Sequence, residues 1–227
     1  MNSKINRRQI TAFTIAAGVL STSHSARASA LFIFGPQDDS NEASRRTNMP
    51  ETPTQYPPIP PDDLNRTLTL TNPDRDGKLP HIGLVGDTYT ITVNGDDTKG
   101  RFCAIDMHIP PGGGPGPHRH DFEETFIVLD GEIQATFRGK KSVVRAGETI
   151  NIPANAPHQF HNASTDTARL ICICSPAGQE KFFLEVGVPV ATRTTAPPKL
   201  EDKEMAAFLE KAKALAPKYH TELLKEA

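Results

Sequence analysis

Two histidines and a glutamate follow one another at short intervals in the middle of the chain, directly after a run of glycine and proline. These are His118, His120 and Glu124, and the four residues that follow, 125–128, are β-branched or aromatic. In an extended chain every second side chain points to the same face, so one predicted strand presents all three together. Two imidazoles and one carboxylate are a common way to hold a divalent transition metal. The spacing therefore predicts a metal site on β structure.

A second stretch, from Gly147 to Asn162, supports this prediction. His158 lies in it after a turn bounded by Pro153 and Pro157, in a segment where apolar and polar residues alternate. We predict that His158 is a fourth ligand, supplied by a neighbouring strand. Ligands of nitrogen and oxygen without thiolate suit Fe, Mn, Ni, Co, Cu or Zn.

The two stretches together resemble the cupin superfamily. The first motif of that family, G-x5-H-x-H-x3-E-x6-G, is matched from Gly112 to Gly131, and the second, G-x5-P-x-G-x2-H-x3-N, from Gly147 to Asn162. The one departure is Asn155, where the family usually has Gly. Asn tolerates left-handed backbone angles well, so we expect the turn to be kept. The resemblance implies an all-β fold, the cupin double-stranded β-helix or jelly-roll barrel. It also implies one divalent transition metal per chain, bound by His118, His120, Glu124 and His158.

The pattern of the remaining chain agrees with a β-barrel followed by a helix. From Thr67 apolar residues recur with a period of two, and many short strands without a long helix between them favour a sandwich or barrel. After Pro197-Pro198 the period changes, and the spacing predicts a C-terminal helix over 202–215 that Pro217 ends or kinks. The predicted strands are 67–71, 81–85, 88–94, 100–109, 124–129, 131–138, 141–145, 148–152, 158–162, 168–175 and 183–190.

The ligand set is similar to that of the quercetinase-like cupin dioxygenases. This resemblance implies a mononuclear dioxygenase for a small enolic or phenolic, flavonol-like substrate, with Glu124 as both ligand and catalytic base. A non-oxygenase cupin, either a small-ligand-binding protein or a metal-dependent isomerase or lyase, is the alternative, because this fold supports many functions. The candidates for an apolar substrate pocket are Phe122, Phe126, Phe160 and Met107.

The N-terminal residues have the pattern of an export signal. Arg7 and Arg8 precede an apolar run, and Ala26-Arg27-Ala28 is a small-residue cleavage site. The adjacent arginines resemble a bacterial twin-arginine signal, with a general secretory signal as the alternative. We therefore expect a periplasmic or secreted protein. The predicted organisation is a signal peptide (1–28), a proline-rich arm (29–64), a cupin barrel (65–195) and a C-terminal helical segment (196–227).

The net charge of the chain indicates which classes of partner it does not bind. Without residues 1–28, the 25 basic residues become 21 against 27 acidic ones, a net charge of −6. Such a surface argues against nucleic acid or an anionic membrane as a partner. We predict a small-molecule substrate, no membrane insertion after signal removal, and a homodimer. We interpret the proline-rich arm as a flexible, partly extended segment, with an arm that wraps a neighbouring subunit as the alternative.

The three cysteines, Cys103, Cys172 and Cys174, cannot all pair with one another because their number is odd. We interpret them as small buried hydrophobic residues. They have no Cys or His partner at ligand spacing along the chain, so we do not expect them to bind metal. The alternation in 100–109 places Asp106 and His108 on the outward face.

Overall fold

The computed structural model describes residues 58–225. The chain divides into two compact units, Met1–Pro60 and Pro61–Ala227. Of the first unit, residues 58–60 are described, and they belong to no helix or strand. The predicted signal peptide and most of the predicted arm lie outside the described residues, and the division into four segments stays a prediction.

The second unit is built from two antiparallel β-sheets. The strands are β1 (His81–Leu84), β2 (Asp87–Val93), β3 (Cys103–Ile109), β4 (His118–His120), β5 (Glu123–Asp130), β6 (Glu132–Phe137), β7 (Lys140–Arg145), β8 (Thr149–Ile152), β9 (His158–His161), β10 (Ala168–Ser175), β11 (Val188–Pro189) and β12 (Thr221–Leu223). The seven-stranded sheet has the order β11-β1-β2-β3-β10-β5-β8, and the five-stranded sheet has the order β12-β4-β9-β6-β7. This is the predicted all-β cupin jelly roll.

The core follows from alternation along the strands. In β10, Leu170, Cys172 and Cys174 are buried while the residues between them are partly exposed. Gly131 makes the tight connection from β5 to β6 with a φ of +67°, and a Cβ there would lie 2.8 Å from the carbonyl oxygen of Thr167. Only glycine meets both conditions without strain, which explains this motif position.

The outer face of the seven-stranded sheet is also covered. Asp106, predicted to face outward, is completely buried, and the Arg169 guanidinium donates to it with an N–O distance of 2.6 Å. Thr88 Oγ1 donates to the carbonyl of Thr195 at 2.8 Å, so the segment after β11 contributes to this cover. His108 is partly rather than fully exposed.

Two predicted strands are wrong. Residues 67–71 have no strand partner, and Leu68 and Leu70 are 88% and 86% exposed. Residues 183–190 were predicted as one strand, but α1 (Gln179–Val186) covers their first half and the two-residue β11 follows. Phe182, Phe183 and Val186 lie buried on one face of α1. A short continuous apolar run fits a buried strand and a buried helix face equally well, so its period does not distinguish them.

The C-terminal helix is confirmed as α2 (Asp202–Leu215), which begins with a capping box between Glu201 and Glu204. Pro217 lies in a short 3-10 helix (Ala216–Tyr219) that ends α2 as predicted. The chain then returns to the barrel as β12, which pairs with β4. Among the described residues, no helix is long and apolar enough to cross a membrane.

Candidate metal centre

The four predicted ligands come together between the two sheets. His118 and His120 lie on β4, His158 lies on the adjacent β9, and Glu124 lies on β5 of the opposite sheet. The prediction that one strand carries His118, His120 and Glu124 is wrong. Asp121 and Phe122 form a bend between β4 and β5, which moves the chain from one sheet to the other. Both sheets therefore contribute ligands to the site.

The distances suit a single ion. Oε2 of Glu124 lies 3.1 Å from Nε2 of His120 and 3.0 Å from Nε2 of His158. One ligand atom from each of the four residues lies within 4.8 Å of all the others, and all four residues are buried. Two ligands at right angles, each about 2.1 Å from an ion, lie about 3.0 Å apart. The two distances from Glu124 are thus those of neighbouring ligands on one ion.

The tautomers of the histidines are set by backbone carbonyls. Nδ1 of His118 donates to Gly116 at 2.8 Å, and Nδ1 of His120 donates to Phe122 at 3.0 Å. Nδ1 of His158 donates to the carbonyl of Ala156 at 2.9 Å. In each neutral ring the lone pair therefore lies on Nε2, the atom that points to the centre. Such contacts are how metal-binding histidines are usually oriented.

Electrostatics favours neutral imidazole beside a carboxylate anion. Burial, together with the nearby His158, lowers the pKa of His118 to about 4. Burial alone would raise the pKa of Glu124, but the adjacent His120 and His158 hold that pKa well below the usual range. At neutral pH the site thus offers the lone pair of the His118 imidazole and the negative charge of the Glu124 carboxylate. A bound cation would compensate this buried negative charge.

Residues of the second motif (Gly147–Asn162) hold the first motif (Gly112–Gly131) in place through hydrogen bonds. Asn155 has a φ of +66°, so the predicted left-handed turn is present with Asn in place of Gly. Its backbone N–H donates to the carbonyl of His120 at 2.7 Å, and its side-chain amide donates to Asp121 at 3.2 Å. Asn162 is fully buried, and its side chain donates to the carbonyl of Ile109 at 2.9 Å. These bonds fix the turn and the glycine-rich loop against the ligand strands.

The four predicted pocket residues are all buried in the core. The ring of Phe122 stacks on His120 at 3.8 Å, and the rings of Phe126 and Phe160 meet edge to face at 5.2 Å. Phe122 thus supports a candidate ligand. The role of these residues and Met107 in a substrate pocket stays a prediction.

Two cavities lie away from the four candidate ligands. One, of about 290 Å³, is bounded by the loop 95–100 and the start of α1. The other, of about 280 Å³, lies where Val186 faces Phe208 of α2.

Sequence reasoning missed the environment of the thiols. Cys103, Cys172 and Cys174 are buried and free, as interpreted, but Cys172 Sγ lies 3.3 Å from Oε1 of Glu124. Contact with Cys174 acts in the opposite sense, but burial and the Glu124 charge raise the pKa of Cys172 to about 12. Its thiol is therefore protonated at neutral pH and donates to the carboxylate. No pattern in the sequence alone places β10 beside Glu124.

Sequence reasoning also missed β12. Thr221 and Leu223 pair with His120 and His118, and the N–H of Leu224 donates to the carbonyl of Pro117 at 2.8 Å. The C-terminus thus braces the edge of the strand that carries two candidate ligands. Three residues, TEL, are too short to give a readable period.

Two polar residues on the ligand strands face away from the centre. Glu123 faces away from the centre and accepts hydrogen bonds from Asn151 at 2.7 Å and from the N–H of Ala154 at 3.1 Å. His161, next to the buried Phe160 on β9, is exposed.

Comparison with known proteins identifies the domain that holds the site. A family model described as "Cupin domain" matches residues 105–174, the span that holds all four candidate ligands. The chain thus contains a cupin domain. This cupin is 27% identical over 124 residues to the quercetin 2,3-dioxygenase of Bacillus subtilis, a match that covers 50% of the chain and 36% of that protein. It is 30% identical over 99 residues to the HTH-type transcriptional regulator PuuR of Escherichia coli, covering 43% of the chain and 53% of the regulator.

The matches are thus partial. The cupin spans about a third of the Bacillus relative and about half of the Escherichia one. Among solved structures, it is similar to the polyketide cyclase RemF from Streptomyces resistomycificus, with a TM-score of 0.42 and 20% identity, covering 63% of this chain and 94% of that one.

Proposed function

We propose that this cupin is a metal-dependent dioxygenase for a small enolic or phenolic, flavonol-like substrate. The observation that carries the proposal is the convergence of three imidazole Nε2 atoms and one carboxylate between the two sheets. His118, His120, Glu124 and His158 would hold one divalent ion, either Fe, Mn, Ni, Co, Cu or Zn. The similarity to a quercetin dioxygenase supports this choice of reaction.

Four protein ligands leave room for substrate in the coordination shell of most of these ions. When bound, the ion supplies Lewis acidity toward a substrate oxygen and a place for the oxidant beside it. The Nδ1 contacts of the histidines keep their rings oriented. Because the four residues are buried, bulk water is kept from the reacting groups.

Glu124 has a second role as the base that takes the proton of the substrate hydroxyl. One carboxylate oxygen can coordinate while the other accepts a proton, so both roles are compatible. While it contacts His120 and His158, its low pKa makes it a poor base. We therefore expect Glu124 to accept the proton only when substrate binding moves it away from the histidines. Phe126 and Phe160, whose rings contact each other, are candidates for an apolar wall.

The alternative is a cupin that binds a small ligand without oxidising it, or one that isomerises or cleaves it. The similarity to a transcriptional regulator supports the binding alternative, because about half of that protein matches this chain and a regulator need not oxidise anything. Oxygen consumption separates the two classes, because binding proteins, isomerases and lyases consume none.

The test begins with elemental analysis of the purified protein, followed by an oxygen electrode with the metal so identified and a panel of flavonols. The proposal predicts oxygen uptake with at least one enolic substrate and its loss in Glu124→Gln. Binding of the substrate without any oxygen uptake would instead establish the alternative.

We also propose that the mature protein begins near Ser29, is exported to the periplasm and forms a homodimer. A variant in which both Arg7 and Arg8 are replaced by Lys tests the export route, because twin-arginine export requires the arginines. Loss of export supports the twin-arginine route, and unchanged export supports the general secretory route.

The exposed Leu68 and Leu70 support the dimer. Their segment is held near its start by the ion pair of Asp63 with Lys99, and near its end by Arg193, which donates to Asp74 at 2.8 Å. A segment that is anchored at both ends and still exposes two leucines is suited to contact with a second copy.

A further inference from the structure

The two carboxylate oxygens of Glu124 face different kinds of donor. Oε2 faces the imidazoles of His120 and His158. Oε1 faces the thiols instead, at 3.3 Å from Cys172 Sγ and 3.9 Å from Cys174 Sγ. The two sulfur atoms are 3.5 Å apart, and no disulfide joins them. The interior of the barrel therefore holds a nitrogen-rich set and a sulfur-rich set of donors that share one residue.

We propose that Cys172, Cys174 and Oε1 of Glu124 form a second metal site, for a thiophilic divalent ion such as Zn(II) or Cd(II). Glu124 then bridges two ions, with Oε2 on the histidine side and Oε1 on the sulfur side. This site shares Glu124 with the proposed dioxygenase centre, and its occupation does not depend on which reaction that centre performs.

The separations agree with tetrahedral coordination. A tetrahedral ion with metal–sulfur bonds of about 2.3 Å and a metal–oxygen bond of about 2.0 Å holds these ligand atoms roughly 3.5–3.8 Å apart. The three observed separations are 3.3, 3.5 and 3.9 Å. Movements of a few tenths of an ångström are enough to complete the geometry.

A third cysteine lies beside the cluster, outside the group of three donor atoms that lie within 4.8 Å of one another. Cys103 on β3 is the direct register partner of Cys174 on β10. All three cysteines are completely buried, so water competes little for the ion. Each coordinating thiol gives up its proton to solvent on binding, and the thiolates formed offset the charge of the ion.

Packing of the core alone explains less well why Cys172 and Cys174 are cysteines. A core position that needs only a small apolar side chain is served by Ala or Val, which place no polar atom beside a carboxylate. Here Cys172 and Cys174 point at Glu124 from the same face of β10, in the one part of the strand that approaches the candidate metal centre. The competing explanation is that the cysteines serve only as core packing, and the test below distinguishes the two.

The test is a titration of the full chain, freed of metal, with Cd(II) as the probe and ultraviolet absorption as the readout. Sulfur–cadmium coordination gives a charge-transfer band that nitrogen and oxygen ligands do not. The chain has three cysteines in all, so any such band reports this cluster. We expect two cadmium ions per chain, one of them accompanied by the band.

Two variants separate the sites. Cys172→Ser with Cys174→Ser should lose the band and one cadmium ion while keeping the other. His118→Ala with His158→Ala should lose one ion while keeping the band. Absence of the band in the parent protein at excess Cd(II) overturns the proposal, and so does its persistence in the double serine variant. The parent measurement decides even if a variant does not fold, and none of these readouts depends on oxygen uptake.

Discussion

Nε2 of His158 lies 3.0 Å from Oε2 of Glu124, although the two residues lie on opposite sheets and are 34 positions apart in the chain. Nδ1 of His158 donates to the carbonyl of Ala156, so in the neutral ring Nε2 is an acceptor. Two acceptors at this distance in a buried site repel unless a proton or a metal ion lies between them. Because His118 and His120 converge on the same point, the four residues together form a donor set that suits a metal ion.

Glu124→Gln should separate metal binding from catalysis. Three histidines remain to hold the ion, so we expect most of the metal to be retained, while turnover falls by about 10²–10⁴, the usual effect of losing a positioned acid–base group. Steady-state oxygen uptake and elemental analysis of the same sample measure both quantities.

Glu123→Gln is the matched control for that variant. Glu123 faces away and anchors Asn151 and Ala154, so we expect turnover close to that of the parent. A Glu124→Gln protein as active as the parent would show that Glu124 is not the base.

Deleting residues 220–227 should weaken the metal site without touching a ligand. The deletion removes β12 and its hydrogen bonds to the strand of His118 and His120. We expect metal affinity to fall by about 10–100-fold, the size of effect seen when groups that orient ligands are lost. Competition with a chromogenic chelator measures the affinity.

Glu222→Ala is the control for the deletion. It removes only the exposed ion pair of Glu222 with Arg119, which contributes about 0–1 kcal/mol, so its affinity should match that of the parent. Equal affinity in the deletion variant would mean that β12 does not brace the site.

Asp87 should make the stability of the protein depend on pH. It is 2% exposed, its Oδ1 has no hydrogen-bond partner among the described residues, and burial raises its pKa to about 7 from a usual value of 3.8. The folded state therefore holds its proton more tightly than the unfolded state. The resulting stabilisation is complete below pH 3.8 and is lost as pH rises to about 7, a change on the order of 4 kcal/mol.

Asp87→Asn removes this titration and keeps an acceptor for Tyr89 and for the N–H of Gly114, both of which donate to Oδ2 at 3.1 Å. Urea unfolding at several pH values should show the parent losing stability relative to Asp87→Asn between pH 4 and 7. Parallel stability curves for the two proteins would contradict the assigned pKa.

Replacing both Leu68 and Leu70 with Asp should convert the proposed dimer to a monomer. The two leucines are exposed within a segment that is anchored at both ends, so charges there would disrupt contact with a second copy without disturbing the core. Light scattering at micromolar concentration measures the mass. The control is Leu209→Asp, which changes a leucine on α2 that is 44% exposed, and this variant should remain dimeric. A monomeric parent would disprove the dimer.

Much of the fold could be predicted because local signals were strong. Nine predicted strands agree with observed ones, since alternation is clear where one face is buried, as in β10. α2 was placed correctly because its apolar spacing is regular and Pro217 follows it. The four candidate ligands could be named because the motif spacing reflects the register of β4, β5 and β9.

The remainder depends on tertiary context that a local pattern does not contain. The bend at Asp121 and Phe122 puts Glu124 on the other sheet, and no residue spacing distinguishes a bent strand from a straight one. β12 forms because the edge of β4 is available for pairing. The approach of Cys172 to Glu124 follows from the pairing of β10 with β5, which only the assembled sheet shows.

The most direct test of the central claim is the metal content of the purified protein, measured by elemental mass spectrometry for the parent, His120→Ala and His161→Ala. His120 and His161 are both imidazoles on ligand-bearing strands, but His161 is exposed and faces away from the centre. We expect His161→Ala to match the parent and His120→Ala to contain about one transition-metal ion fewer per chain, because the remaining donors no longer close around the ion. Metal content in His120→Ala equal to that of the parent would contradict the site.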